Sequence, residues 1–216
     1  MNRHKKMDKV ELINGLIQKH GLKKYCEIGL DNPNGTFTKI NCELKHSVDP
    51  FFEEDHKTYD YSYRNIDHVL KYLTHRMTSD EFFKTTDEKY DIFFIDGLHT
   101  QEQVGKDIIN ALKHLNSGGF IVVHDCIPHN ETEQIVPRKS GGWTGDVWKA
   151  IPQLEKQGID YKTVDMDWGC CVIKYKENPD SLVYPEFSTY TWNDFVKNKK
   201  DLLKIISVDE FRNLYL

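Results

Sequence analysis

Acidic and imidazole side chains recur where short apolar runs end. Glu27 and Gly29 close one run, Asp49 a second, Asp96 a third, and His124 with Asp125 a fourth. Each run is bounded by turn residues and reads as a strand, and ligands of open α/β sheets bind beyond the carboxyl ends of the strands. Solvation of strand ends does not by itself require such chemistry at all of them. Neighbouring parallel strands lie about 4.8 Å apart, so Asp96 and Asp125 can face one site, with His99 and His124 flanking them. Two chemistries fit. In one, a histidine removes the proton of an acceptor hydroxyl while an aspartate orients its ring. In the other, Asp96, Asp125 and His124 hold a divalent cation, Mg or Mn, that lowers the hydroxyl pKa. The imidazole makes magnesium less natural there than manganese or iron. A purely structural reading stands beside both, with His99 capping the helix after it and Asp96 satisfying loop N–H groups.

A second group of residues points to a nucleoside. Asp49 lies 20 positions after Gly29 (49 − 29 = 20), the spacing at which a carboxylate accepts both hydroxyls of a ribose. Gly29 and Gly35 bracket the turn that follows the first strand, where backbone approaches a ligand without a Cβ in the way. The same glycines also suit an ordinary tight connection. Dinucleotide binding asks for G-x-G-x-x-G, and the turn here, Gly29-Leu30-Asp31, lacks the second glycine. Asp31 would also set a negative charge beside a pyrophosphate. Carboxylates such as Glu27, Asp31 and Asp96 suit instead a cofactor carrying a sulfonium and an ammonium, which favours S-adenosylmethionine over NAD.

These residues need a frame, and the apolar pattern supplies one. Val10, Leu12, Ile13, Leu16 and Ile17 have helical spacing, and Gly21 ends that helix. Strands are expected at 24–28 and 46–49, with a helix from about Phe37 capped by Thr36 between them. A helix at 65–72, an edge strand at 76–78 and a helix capped by Ser79 follow. YDIFFI at 90–95 is a continuous apolar run, as expected of a strand buried on both faces. Thr100 and Gln103 form a T-x-x-Q capping box, and Val104, Ile108, Ala111, Leu112 and Leu115 mark the inner face of a helix stopped by Gly118-Gly119. Another buried strand follows at 120–123. Strand, helix, strand with short links is a βαβ unit, hence a parallel sheet. A helix resumes near Asp146, kinked or split by Pro152, and 161–165 pairs with 170–175 as a hairpin. Ser207 and Glu210 form a last capping box. The expected fold is a Rossmann-like, doubly wound, mostly parallel sheet with an antiparallel C-terminal hairpin and helices on both faces. It forms one domain over 1–216, with an N-terminal helix (1–21), flap or substrate loops at 51–75 and 126–145, and a helical extension at 191–216. Tyr59, Tyr61 and Tyr63 line the first flap or pack it down. His129, Arg138 and Trp143 are candidate acceptor contacts on the second.

An ordered set of motifs joins these readings. YCEIG at 25–29, VDP at 48–50, TSDEFF at 78–83, FIDGLHT at 94–100, E-x-V at 102–104, GGFIVVHDC at 118–126, GDVWKAI at 145–151 and DWG at 167–169 together resemble a group of bacterial class I methyltransferases associated with small-molecule or sugar O-methylation. The resemblance implies S-adenosylmethionine bound by Glu27, Gly29 and Asp49, with Ser79 and Asp80 near the adenine. It also implies a small hydroxylated acceptor such as a sugar or glycan precursor. One departure is that 30–34 reads LDNPN where that group has glycine or a small residue mid-turn. Two rivals remain on the same fold, a nicotinamide-dependent oxidoreductase and a non-catalytic binding module.

Bulk properties narrow the partners. Lys plus Arg total 29 against 34 Asp plus Glu, a formal charge of −5, which argues against a phosphate-dominated nucleic-acid partner. No apolar stretch approaches the roughly 20 residues of a membrane span, and 1–9 is basic without an apolar segment behind it, unlike a signal peptide. Cys26, Cys42, Cys126, Cys170 and Cys171 are odd in number and irregular in spacing, which suits a reducing, cytoplasmic setting rather than a disulfide framework. Adjacent Cys170 and Cys171 point to opposite faces of a strand. Oligomeric state is left open, a homodimer included.

Overall fold

A computed structural model describes residues 7–51, 66–139, 141–175 and 177–216. Its strands are β1 (Lys24–Ile28), β2 (Leu44–Val48), β3 (Tyr90–Ile95), β4 (Leu115–Val123), β5 (Tyr161–Val164), β6 (Cys170–Lys174) and β7 (Ile205–Ile206). They form a seven-stranded sheet in the order β2-β1-β3-β4-β6-β5-β7. The first four in that order are parallel, β6 is antiparallel to both β4 and β5, and β7 is parallel to β5. The mostly parallel sheet with an antiparallel hairpin is the architecture read from the sequence.

Alternating residues of the central strands divide between two cores, as the period of two requires. Cys26, Ile28, Phe93, Ile95, Ile121, Val123 and Cys171 enter one; Tyr25, Ile92, Phe94, Phe120, Val122 and Cys170 enter the other. The first is covered by α3 (Ser79–Thr85), α4 (Gln101–Lys113) and α5 (Trp192–Leu202), through Phe82, Ile108 and Phe195. The second is covered by α1 (Lys9–His20), α2 (Ile66–Tyr72) and α6 (Val208–Tyr215), through Leu16, Val69 and Phe211. Helices thus lie on both faces, and the polar strand ends are left at one edge of the sheet. All five cysteines are free, with Cys170 and Cys171 in opposite cores.

Several local expectations are revised. The helix expected from Phe37 is only a 3-10 turn, Phe37–Lys39. Thr36 makes no side-chain cap there, and Lys45 Nζ donates to the Phe37 and Ile40 carbonyls at 2.9 and 3.0 Å instead. No strand forms at 76–78; a lone bridge joins Val48 to His75. Thr78, not Ser79, caps α3, in a reciprocal box with Glu81. Thr100 caps α4, but Gln103 does not return to it, because its amide donates to Ser79, Asp80 and Asp107. Gly118-Gly119 lies inside β4 rather than ending α4. A Cβ on Gly119 would stand 2.5 Å from the Asp91 carbonyl oxygen, so the two strands meet there only through glycine. The helix near Asp146 splits into 3-10 turns Val147–Lys149 and Ile151–Gln157. The two-residue β7 carries no sequence signal of its own. The flap tyrosines Tyr59, Tyr61 and Tyr63 lie outside the described residues. Among those residues no helix is long and apolar enough to cross a membrane.

Candidate active site

The chain runs from β1 to β2 on one side and later returns to β3 on the other, so a crevice opens beyond the carboxyl ends of β1 and β3. Gly29 sits at its floor with φ +92°, and a Cβ there would stand 2.3 Å from the Asp96 carbonyl oxygen. The immediate demand on Gly29 is therefore the close approach of Asp96-Gly97. Asp49 follows β2 and is half-buried. Its Oδ2 accepts from Leu30 N at 3.0 Å and its Oδ1 from Phe51 N at 2.7 Å. The carboxylate thus fixes the first turn of the crevice from its neighbour's strand end. Asp31 and Gly35 are exposed on that turn, and Gly35 N donates to Asn32 O at 2.8 Å. Glu27 is buried and accepts from the Tyr25 hydroxyl; burial pushes its carboxyl up to about 8. Ser79 and Asp80 stand apart at the start of α3, tied to α4 through Gln103 at 3.1 and 3.0 Å.

The second half of the crevice is a compact charged cluster. His124 Nδ1 lies 3.3 Å from both Asp96 Oδ1 and Asp125 Oδ1. His99 Nε2 lies 3.4 Å from Asp96 Oδ1, and its Nδ1 lies 3.3 Å from Asp125 Oδ2. All four residues expected to converge do so. Thr100 is the cap of α4, so the capping role considered for His99 is not what its side chain does. Asp125 adopts φ +60°, a left-handed backbone that turns the chain sharply after β4. The 126–145 loop closes over the other side. Trp143 stacks on His99 at 5.0 Å, and a Cβ on Gly145 would stand 1.7 Å from the His99 carbonyl oxygen. Arg138 lies over the Trp143 ring at 5.9 Å, while His129 packs on Trp168 at 4.2 Å.

Two further members were missed from sequence. Lys9, the first residue of α1, places Nζ 3.1 Å from Asp96 Oδ2, and its backbone N–H donates to Asp167 Oδ2 at 3.1 Å. Asp167 Oδ1 in turn lies 3.8 Å from His124 Nε2. Asp167 belongs to the DWG motif, one of those that carry the resemblance, but nothing in the sequence assigns it a site role. Its three residues all have positive φ (43°, 62° and 85°), a backbone that non-glycine residues rarely hold. Lys9 gives no sequence signal, since a lysine at the start of a helix is ordinarily solvated.

The electrostatics follow from this packing. Burial would lower the His124 imidazole, yet Asp96 above all, with Asp125 and Asp167, holds it well above its ordinary value. Burial likewise opposes a charge on His99, but Asp96 and Asp125 raise its pKa. Burial would raise the Asp96 carboxyl; His124 and Lys9 hold it well below the usual range. Asp167 is also lowered, chiefly by its contact with His124. Three carboxylates thus face Lys9 and two imidazoles in a nearly dry site. His124 Nε2 is the odd atom, buried and without a hydrogen-bond partner. Asp96, His124 and Asp125 also each offer one ligand atom within 4.8 Å of the others.

Comparison with known proteins gives this geometry a context. Residues 29–126 match the sequence model of a family described as a methyltransferase domain. The match begins at Gly29 and ends one residue after Asp125, so it contains Asp49, Asp96, His99, His124 and Asp125 but neither Lys9 nor Asp167. Among solved structures, TomG, an O-methyltransferase from Streptomyces achromogenes involved in tomaymycin synthesis and crystallised with S-adenosylmethionine, is 13% identical. That similarity covers 76% of this chain and 78% of the other, with a TM-score of 0.51. An O-methyltransferase from Bacillus cereus in complex with S-adenosylhomocysteine is 16% identical over 81% and 84% of the two chains, with a TM-score of 0.50. A methyltransferase from Podospora anserina bound to S-adenosylhomocysteine is 13% identical over 78% of each chain, also with a TM-score of 0.50. At these identities the likeness is one of fold. No curated protein sequence matches the chain.

Proposed function

We propose that the protein transfers a methyl group from S-adenosylmethionine to a hydroxyl oxygen of a small acceptor, with His124 as the base. The observation that carries this reading is the arrangement around His124. Two carboxylates flank Nδ1, and Nε2 is left buried and unpartnered on the side of Asp167. A carboxylate on one ring nitrogen fixes the tautomer and leaves the other as the acceptor of a proton. When bound, S-adenosylmethionine supplies an electrophilic methyl group on a sulfonium. His124 Nε2 would take the proton of an acceptor hydroxyl as that oxygen accepts the methyl group, with the sulfonium sulfur keeping the electron pair of the broken bond. Asp96 and Asp125 stabilise the imidazolium through Nδ1–H. In the free site His124 is held charged, and a cationic ligand in the same crevice lowers its pKa by like-charge repulsion, freeing Nε2.

The cofactor half fits a cation as well as a ribose. Asp31, Asp49 and Asp96 bring carboxylates to the crevice and Glu27 a buried carboxyl, while no second glycine opens the turn for a pyrophosphate, which supports methyl transfer over the nicotinamide alternative. Titration with S-adenosylhomocysteine by calorimetry tests this half. Saturable binding is expected, weakened about tenfold or more in Asp49→Ala through loss of a charge-assisted pair with the ribose. Absence of binding at millimolar concentration refutes the proposal, and an unchanged Kd in the variant removes the ribose role.

A second reading rests on the same three side chains. Asp96, His124 and Asp125 form a donor set suited to Mn or Mg. A cation held there would lower the pKa of the acceptor hydroxyl. Transfer that survives exhaustive EDTA treatment supports His124 as the base; transfer lost and restored by Mn supports the cation. The acceptor itself is proposed to be a small molecule such as a sugar or glycan precursor, handled in the cytoplasm.

A further inference from the structure

A cavity of about 330 Å³ opens on the same sheet edge as the charged cluster, displaced toward the β5–β6 turn. Its floor is apolar, with Ile127, Met166 and Phe195 buried. Its walls are the indoles of Trp168 and Trp192, both half-buried. Its rim carries Asp165, Asp167 and Lys199. None of its lining lies within the matched residues 29–126, the nearest, Ile127, following the last of them.

Three observations join this cavity to the reacting end of the crevice. Asp167 belongs to both: it lines the cavity, and its Oδ1 lies 3.8 Å from the unpartnered His124 Nε2. The left-handed Asp167-Trp168-Gly169 backbone presents the carboxylate and the indole side by side. A Cβ at Gly169 would stand 2.5 Å from Ile127 Cγ1, so the turn is pressed against the end of the chain leaving Asp125. Non-glycine residues keep that conformation only where the surrounding packing over-determines it.

The lining specifies the chemistry of the occupant. Indole faces receive the apolar face of a ring, while carboxylates and an ammonium at the rim pair with hydroxyls at its edge. The volume is at the lower end of the roughly 300–1,000 Å³ of small-molecule sites, which sets a one-ring size. Two carboxylates, Asp165 and Asp167, against Lys199 and the His129 imidazole leave the rim without a net positive charge, which disfavours a phosphorylated ligand. We infer that this cavity, walled by Trp168 and Trp192 beside Asp167, is the acceptor subsite and takes a neutral, hydroxylated ring whose reacting hydroxyl reaches His124. The assignment of the reacting end rests on the methyl-transfer reading above; the ring-binding cavity does not.

Saturation-transfer NMR with catechol, myo-inositol and methyl α-glucoside tests it, with glucose 6-phosphate as the charged comparator. At least one neutral probe should receive saturation and bind more tightly than the phosphate ester. Trp192→Leu should weaken that probe about fivefold or more, the scale of losing one ring face. Val196→Trp, at an exposed position on the cavity wall, should block it without disturbing the core. Both variants should bind S-adenosylhomocysteine as the parent does. The inference is overturned if no neutral probe binds, if the phosphate ester binds tighter, or if both variants bind the probe unchanged. Loss of S-adenosylhomocysteine binding in the parent, with probe binding intact, would refute the methyl-transfer reading and leave the cavity assignment standing.

Discussion

Asp107 on α4 is 1% exposed, and only one of its carboxyl oxygens, Oδ1, has a partner, Gln103 Nε2 at 3.1 Å. Oδ2 is buried with none. Burial pushes this carboxyl up to about 7, against about 3.9 in an unfolded chain. The folded state therefore holds the proton more tightly, and stability falls as pH rises from about 4 to about 7, then levels off. The difference of about three pKa units, at about 1.4 kcal/mol each, makes ionised Asp107 a penalty of up to about 4 kcal/mol above pH 7. Asp107→Asn keeps the shape and the acceptor for Gln103 and removes the charge. Urea unfolding at pH 4.5, 6 and 8 should show the variant more stable by only about 1 kcal/mol at the lowest pH. At pH 8 the variant should be more stable, by up to about 4 kcal/mol, with Tm raised about 2–4 °C for each kcal/mol in a chain of this size. A difference that does not change with pH, or a destabilised variant at pH 8, refutes the reasoning.

Lys9→Met removes a cation that lies 3.1 Å from Asp96. With that competitor gone, the carboxylate acts on the imidazoles alone, so His124 should titrate at still higher pH in an NMR titration; an unmoved midpoint would show that Lys9 does not reach the cluster's balance. Gly145→Ala sets a Cβ against the His99 carbonyl oxygen in a backbone of φ +57°. It should cost more than the roughly 1–2 kcal/mol of a left-handed residue alone, seen as a clear fall in Tm with altered His99 resonances. A Tm within error of the parent would mean the loop seats itself elsewhere.

How much of this was legible beforehand depends on the range of the interaction. The strands and their buried faces were readable because side-chain alternation and apolar runs are local signals, and YDIFFI at 90–95 leaves no polar residue to face water except Asp91. The convergence of Asp96, His99, His124 and Asp125 was readable for a related reason. Once four parallel strands are inferred, their carboxyl ends share an edge. Boundaries were less legible. Thr78 and Ser79 are both good caps, and only the reciprocal bond to Glu81 selects the first. The T-x-x-Q box at Thr100 failed because Gln103 had better partners on another helix, which no local pattern encodes.

The sequence by itself determined the parallel α/β frame, the Gly29–Asp49 pairing at adjacent strand ends and the identity of the central histidines and aspartates. Tertiary structure alone decided that Lys9, 158 positions before Asp167, would share its carboxylate. It also decided that His124 would bury one nitrogen without a partner and that a cavity would form beside it. The physical reason is one of scale. Periodicity fixes which face of an element is apolar, but the meeting of charged groups from distant elements depends on how whole faces pack, and their pKa values depend on how much water that packing removes.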